Sequence, residues 1–139
     1  MSTGQRQSPN MIRRTLGVAV CFSPVVLLLA SVCFGLVRER SAWSAGIGFM
    51  FAAAFFAALN FYLSFVRPPL FRLLHGSMDG FRHVSGIPGI GTILVLLGGA
   101  FGFGAMATAV LGLACIGFDT GGSVWFLIAT WRDSSFWDR

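Results

Sequence analysis

Long apolar blocks alternate with short polar connections along the 139 residues of this chain. The first block, 15–37, has 23 residues, and about 20 apolar residues are enough for one helix to cross the hydrocarbon core of a bilayer. A second block of similar length follows at 44–66, and the third apolar stretch, 86–131, is about twice as long. This pattern predicts an all-α, polytopic membrane helix bundle.

The long third stretch decides how many segments the bundle has. One helix over 87–118 would contain 32 residues and measure roughly 48 Å, whereas the hydrocarbon core is about 30 Å thick. Glycine tolerates the backbone conformations of a turn, and four glycines fall within residues 98–104. The sequence therefore predicts a break there, with one segment on each side.

These boundaries predict one membrane domain over 15–131, flanked by two short polar ends. Its four segments are expected at about 15–37, 44–66, 87–104 and 105–131, the last one irregular at 119–122. Residues 1–14 are polar, which predicts a disordered cytoplasmic N-terminus. Residues 132–139 mix aromatic and charged side chains, which is typical of a cytoplasmic tail anchored at the interface or of a tail that docks a partner.

Three crossings are the alternative to four. In that arrangement residues 124–131 would lie along the interface, because eight residues are too few to span, and Asp119 would face water. Arginine and lysine favour the cytoplasmic side of a membrane protein. With a cytoplasmic N-terminus, four crossings place eight of the ten arginines inside, and three crossings place six. This bias favours four crossings with both termini in the cytoplasm.

Proline marks two places in the predicted helices. Pro24 lies in the first half of the first segment and frees a backbone carbonyl, so we expect a kink packed against a neighbouring helix. Pro68 and Pro69 follow Arg67, and neither can donate a backbone hydrogen bond. We therefore expect the second helix to end there, and residues 67–85 to form a polar connection on the membrane surface.

Small residues spaced four apart predict close helix packing. Ala53 and Ala57 form such a pair in the second segment, and Gly98 and Gly102 form another if their helix continues through them. Such pairs let the backbones of membrane helices approach one another. The glycines of 98–104 cannot act throughout as both a packing face and a turn, and the sequence leaves that choice open.

The sequence Asp119-Thr120-Gly121-Gly122 is the most distinctive candidate site, since it carries the one carboxylate of 86–131. A carboxylate inside a membrane is costly and marks a functional site by default. The adjacent glycines favour a broken helix of the kind that holds ions or substrates in transporters. Asn60 and Ser64 share one face of the second helix. They are either interhelical hydrogen-bonding groups or groups that line a site with Asp119.

Other chemistry is disfavoured. His75, Asp79 and His83 would share one face of a continuous helix, and such side chains can ligate a metal ion. Gly76 and Gly80 fall between them and disfavour a helix, so a solvated loop is the better interpretation. Because no two ionisable groups are spaced for catalysis and no phosphate-binding loop follows a strand, we expect no enzyme activity, no metal and no cofactor.

The composition of the chain limits the classes of partner that we expect. Charged residues make up 11% of the chain and hydrophobic residues 55%, whereas a soluble domain has about 25% charged residues. All ten basic residues are arginine, and they lie at the ends of the apolar blocks. This placement indicates contact with lipid headgroups and disfavours nucleic acid. The expected partners are the bilayer and either another copy of the chain or another membrane protein.

Two short motifs resemble a pattern in small uncharacterised bacterial inner-membrane proteins. One is G-I-P-x-I-G at 86–91 and the other is D-T-G-G-x-x-W-F at 119–126. Together they cover the C-terminal third of the chain. The resemblance implies a multi-pass protein of the cell inner membrane, and it implies no activity that could be assigned to particular residues.

Two functions are compatible with these features. The first is a small non-catalytic membrane protein that acts by helix–helix contact with itself or a partner, for example an immunity or inhibitor protein against a membrane-acting toxin. The alternative is a small oligomeric transporter or channel component with a site at Asp119. Small packing residues and sparse polar groups motivate the first, and a carboxylate at a broken helix motivates the second.

Overall fold

A computed structural model of the protein describes residues 11–38, 40, 44–84 and 86–137. This part of the chain contains helices, turns and bends but no strand, which confirms the predicted all-α class. A π-helical turn, Tyr62–Val66, joins the second helix to the third. The helices are α1 (Met11–Val37), α2 (Ser44–Phe61), α3 (Arg67–His75), α4 (Ile90–Phe101), α5 (Met106–Phe118), α6 (Ser123–Thr130) and α7 (Ser134–Trp137).

Three helical stretches are long and apolar enough to cross a membrane, so the chain is a membrane protein. They are Met11–Val37, Ala45–His75 and Met106–Thr130, and the last is interrupted at 119–122. Helix α4 is also apolar but has only 12 residues, which corresponds to about 18 Å. It reaches across only part of a hydrocarbon core of about 30 Å. The number of membrane crossings stays a prediction.

One end of the bundle is formed by the connection 102–105 between α4 and α5, and we call it the turn end. Gly104 adopts a φ of +84°, which glycine reaches without a steric penalty, and its N–H donates to Ser31 Oγ at 2.8 Å. A Cβ on Gly46 would lie 2.8 Å from the Cα of Gly102, so α2 begins at this end. The long apolar stretch is therefore divided into two helices at residues 102–105, next to the glycines from which the sequence predicts a break.

The opposite end carries most of the described arginines, and we call it the basic end. Helix α1 starts there, and α2 reaches it through α3. The ring of Trp137 lies against Gly17 of α1, so both ends of the described chain are on this side and the chain runs along the bundle four times. The arginines at the basic end are Arg13, Arg14, Arg67, Arg72, Arg82 and Arg132.

Helix α1 begins earlier than the sequence predicts. It starts at Met11, so the prediction that residues 11–14 are disordered is wrong, and residues 1–10 lie outside the described part. Arg13 lies over the ring of Phe136 at 5.4 Å, and Arg14 lies over the ring of Trp131 at 5.8 Å. These cation–π contacts join the first turn of α1 to aromatic residues near the C-terminus. The local pattern of apolar residues does not predict such a long-range contact.

The prediction that the second helix ends at Arg67 is also wrong. The chain stays helical through the π-helical turn and α3, and the N–H of Arg67 donates to the carbonyl of Tyr62, five residues earlier. Pro68 and Pro69 fall in the first turn of α3, directly after the π-helical turn, and each lacks the backbone donor that a continuous helix would use. The wider turn separates the prolines from α2, so the helix accommodates them without ending.

Pro24 is fully buried inside α1, and neighbouring carbonyls have side-chain partners. A proline removes the donor that the carbonyl four residues earlier would accept, which here is that of Val20. Ser23 Oγ donates to that carbonyl at 2.8 Å. One residue further on, the carbonyl of Cys21 accepts from Ser123 Oγ of α6 at 2.9 Å. In lipid such carbonyls require partners within the protein, and both have one.

The core lies midway between the two ends. Leu28, Met50 and Val95, from α1, α2 and α4, are almost completely buried there. Ala53 and Ala57 are buried in the same cluster, which is where small residues allow α2 to approach its neighbours.

The glycines of residues 98–104 have two separate roles, which are close helix packing and the turn between α4 and α5. Gly98 lies inside α4, where a Cβ would be 3.1 Å from the carbonyl oxygen of Gly46, so it brings α4 and α2 into close contact. Gly102 follows the end of α4 and packs against Thr108, whose Cγ2 would be 2.6 Å from an added Cβ. Packing and turning therefore occur at different residues of the same stretch.

The C-terminal tail is folded against the bundle. Trp137 of α7 is 2% exposed and packs with Cys21 and Leu127. Its Nε1 donates to the carbonyl of Thr130 at 2.7 Å. Trp137 therefore faces the protein and not the lipid interface, whereas Phe136 beside it is exposed.

Candidate functional site

Two interruptions of the helical chain meet at one level of the bundle. The first comprises residues 119–122, between α5 and α6, and the second comprises residues 86–89, before α4. The N–H of Gly89 donates to the carbonyl of Gly121 at 3.0 Å, which joins the two interruptions directly. Backbone outside a helix needs partners within the protein at membrane depth, and a side chain of α2 supplies further ones.

Asn60 of α2 binds both interruptions through its amide. Its Nδ2 donates to Asp119 Oδ1 at 2.6 Å and to the carbonyl of Ile87 at 3.4 Å. Its Oδ1 accepts from the N–H of Ile87 at 3.1 Å. With 1% of its surface exposed, Asn60 is an interhelical hydrogen-bonding group that also holds the carboxylate.

The two oxygens of Asp119 have different surroundings. Oδ1 accepts from Asn60 and from the N–H of Gly121 at 3.2 Å, the short loop that aspartate forms with the backbone two residues on. Oδ2 is buried and has no hydrogen-bond partner among the described residues, and the whole residue is 3% exposed. Leaving a buried polar group unpaired costs about 1–3 kcal/mol, and more for a charged group. The burial of Oδ2 therefore needs an explanation.

Glycines provide the space that this pair of side chains occupies. A Cβ on Gly91 would overlap Asp119 Oδ2, and a Cβ on Gly86 would overlap Asn60 Oδ1. A Cβ on Gly122 would lie 3.0 Å from Oδ2. The space around Oδ2 has no room for a water molecule. These glycines are therefore needed for the contact itself and not only for the turns.

Hydroxyl groups flank the pair on two sides. Ser64 Oγ lies 2.9 Å from Thr120 Oγ1, one helical turn beyond Asn60 toward the basic end. Thr92 Oγ1 accepts from the N–H of Ser123 at 3.0 Å, which fixes the start of α6. Together these bonds hold the first interruption between α2 and α4.

A cleft of about 550 Å³ opens beside the pair, toward the basic end. Asn60 lies seven residues before Arg67 along a continuous helix, which corresponds to about 10 Å along the axis. The carboxyl of Asp119 thus lies at about that depth below the arginines, behind the amide of Asn60. The cleft is lined by polar, aromatic and small residues that include Asn60, Ser64, His83, Thr120, Gly121 and Trp125.

Five of the residues that the sequence singles out come together here. Four are contiguous at the first interruption, and the fifth reaches them from α2. They are Asp119, Thr120, Gly121, Gly122 and Asn60. The four packing candidates lie closer to the core and the turn end, and they are Ala53, Ala57, Gly98 and Gly102.

Sequence reasoning missed the contribution of 86–92. Gly86, Gly91 and Thr92 all contact the site, but their residue types indicate a turn or close helix packing and no particular partner. The one available signal was the run of glycines at 86, 89 and 91, which suits a place where another side chain approaches the backbone closely.

The histidines do not form a metal site with Asp79. Helix α3 ends at Gly76, which has a φ of +71°, so the three side chains do not share one helical face. His75 stacks on Phe71 with ring centroids 4.1 Å apart. Within the described part of the chain, no group of three His, Cys, Asp or Glu residues could hold a metal ion. His83 instead lines the cleft.

The chemistry of the site is that of a single carboxylate in a nearly dry enclosure. Within the described residues Asp119 has amide and backbone partners and no cationic one. Within the described residues, no ion pair therefore involves this carboxylate. No known protein family, curated protein or solved structure matches the chain.

Proposed function

We propose that the chain is a small transporter or channel component in which Asp119 binds the transported or coupling ion. The observation that carries the proposal is the buried, unpartnered Oδ2 of Asp119. Intramembrane carboxylates occur chiefly in ion and substrate pathways, and interrupted helices are where transporters place such sites. Both features coincide here, next to a cleft that opens toward the basic end.

A purely structural role explains the position of Asp119 Oδ1 but not that of Oδ2. Oδ1 closes the loop at Gly121 and receives the Asn60 amide, and an asparagine at 119 could accept both bonds through its side-chain oxygen. Oδ2 contributes nothing to that scaffold, yet it is enclosed at an energetic cost. A site that binds a cation for part of its cycle explains why a second carboxylate oxygen is present.

Transport through this site requires more than one copy or a change in conformation. The cleft ends at the Asn60–Asp119 pair, and the bundle beyond the pair is closed by Leu28, Met50 and Val95. No open pathway therefore leads from the pair to the turn end within the described bundle. We propose a homo-oligomer, in the inner membrane, with the basic end in the cytoplasm as the arginine bias favours.

A second function is favoured by an apolar groove of about 280 Å³ between α2 and α5. Its floor contains Ala54, Ala58 and Ala114, and Phe61 and Phe118 meet edge to face at its rim. Small residues on such a face suit close approach of another membrane helix. In this proposal the chain is a non-catalytic protein that works by contact with another copy or with a partner, as an immunity protein would.

Ion flux in liposomes distinguishes the two functions. Purified protein is reconstituted, and flux is followed separately for protons, sodium and potassium, in the parent and in Asp119→Asn. Asp79→Asn is the matched control, because it removes an exposed loop carboxylate. We expect flux of one ion in the parent and the control, and a loss of at least tenfold in Asp119→Asn. Absence of flux in the parent, or full flux in Asp119→Asn, would reject the transport proposal.

A further inference from the structure

The identity of the ion can be argued from the two oxygens of Asp119. Oδ1 already accepts two hydrogen bonds, from Asn60 Nδ2 and from the N–H of Gly121, and a carboxylate oxygen offers two lone pairs in its plane. A newly bound ion must therefore sit on Oδ2. The surroundings of Oδ2 then decide which ions can be accommodated.

The walls around Oδ2 offer almost no ligands to a metal ion. Gly91 and Gly122 both approach Oδ2 closely, and the two hydroxyls in the wall each take part in one hydrogen bond. Thr92 Oγ1 accepts from the N–H of Ser123, and Ser123 Oγ donates to the carbonyl of Cys21. Hard cations such as Mg²⁺ and Ca²⁺ take six or more oxygen ligands. Among the described residues that line this space, Thr92 and Ser123 are the ones besides Asp119 that carry side-chain oxygens, which is too few for such a set.

The size of the enclosure excludes larger species. The space bounded by Ala53, Gly91, Val95, Cys115 and Gly122 has no room for a water molecule. A hydrated cation or an organic ammonium is larger than water, so neither fits without separating α2, α4 and α5. A proton needs no ligand shell and no cavity, because it forms one O–H bond on an oxygen that is already in place.

We infer that the ion bound by Asp119 is a proton, carried on Oδ2 and exchanged with water in the cleft. This inference rests on the proposed function and names its coupling ion. One proton passes from a hydronium ion in the cleft to Oδ2, which leaves a water molecule and a neutral carboxylic acid, and the release step is the reverse. No electron is transferred. Movement of Asn60 or Gly121, which separate Oδ2 from the cleft, opens the path.

Few other titratable groups face this carboxyl. Helices α2, α4 and α6 contain none. Helix α5 contributes Cys115, one turn before Asp119, and α1 contributes Cys21, whose carbonyl binds Ser123. The connection before α4 contributes His83 across the cleft, and the nearest arginine along α2 and α3 is Arg67.

Infrared spectroscopy of the reconstituted full chain tests the inference independently of transport. The other side-chain carboxyls are replaced in a variant that carries Glu39→Gln, Asp79→Asn, Asp133→Asn and Asp138→Asn, which leaves Asp119 as the sole side-chain carboxyl. We expect a carboxylic-acid carbonyl band that shifts in D₂O, changes in a pH titration, does not respond to sodium, and disappears when Asp119→Asn is added.

The outcomes separate the inference from the proposed function. Proton flux in liposomes together with the acid band supports both. Sodium or potassium flux without proton flux keeps the transport proposal and overturns the proton inference. The acid band without any flux supports proton binding and rejects transport. A carboxylate that stays ionised throughout the titration, or a band removed by sodium, overturns the inference. If the variant with Asp119→Asn added does not fold, the D₂O shift and the titration of the sole-carboxyl protein still decide.

Discussion

Replacement of Asn60 by alanine tests the contact that joins the two helix interruptions. The substitution removes one bond to Asp119 and two to the backbone of Ile87. The bond to the carboxylate is buried and 2.6 Å long, and hydrogen bonds to charged groups contribute about 1.5–3 kcal/mol. Ile87 is 43% exposed, so water can replace its lost bonds, and interhelical bonds in membranes average about 0.6 kcal/mol.

The expected destabilisation for Asn60→Ala is therefore about 2–4 kcal/mol. It is measured as the shift in the free energy of unfolding in detergent micelles, with SDS as denaturant. Ser64→Ala is the matched control, because its hydroxyl bonds Thr120 and is exposed. The control is expected to lose less than about 1 kcal/mol. If Asn60→Ala unfolds within about 0.5 kcal/mol of the parent, Asn60 does not hold the interruptions together.

A double-mutant cycle then isolates the contact between the two side chains. Asp119→Ala is combined with Asn60→Ala, and the coupling energy is the difference between the double change and the summed single changes. Residues in direct contact typically couple by about 0.5–3 kcal/mol, and the short bond between Nδ2 and Oδ1 places this pair in the upper half of that range. Additive effects would contradict a direct contact.

Two further substitutions test the packing around the site. Gly91→Ala places a Cβ against Asp119 Oδ2, so we expect it to lower the free energy of unfolding by about 1–3 kcal/mol. The control Gly117→Ala has open space around it and should leave stability unchanged or slightly higher. Equal effects of the two substitutions would argue against a tight enclosure around Oδ2. Trp137→Ala empties a buried position, so we expect it to lower the free energy of unfolding by about 3 kcal/mol and to increase proteolysis of the tail. The control Phe136→Ala changes an exposed position and should have a smaller effect.

The sequence alone indicates which residue types form the site, but it does not show which segments of the chain bring them together. Asp119 and Asn60 stand out because carboxylates and amides are rare in apolar segments, and each needs a partner in lipid. Their residue types therefore predict that they matter. The contact between them spans 59 positions of the chain, and no local periodicity predicts which turns of α2 and α5 face one another.

The errors at helix boundaries have the same physical origin. Pro68 and Pro69 usually end a helix, and only the π-helical turn before them lets α3 continue. Gly91 lies inside the predicted third segment, and its contact with Asp119 was not predicted because the carboxylate comes from a distant segment. By contrast, the break at Gly104 was predictable, since a left-handed φ in an apolar run requires glycine whatever its neighbours are.

The most direct test of the proposed transport through Asp119 is the paired flux measurement on the parent protein and Asp119→Asn in liposomes. We predict proton flux in the parent, retention in the Asp79→Asn control, and a loss of at least tenfold in Asp119→Asn that folds normally. Undiminished proton flux in Asp119→Asn, or a parent protein that conducts no ion, would contradict it.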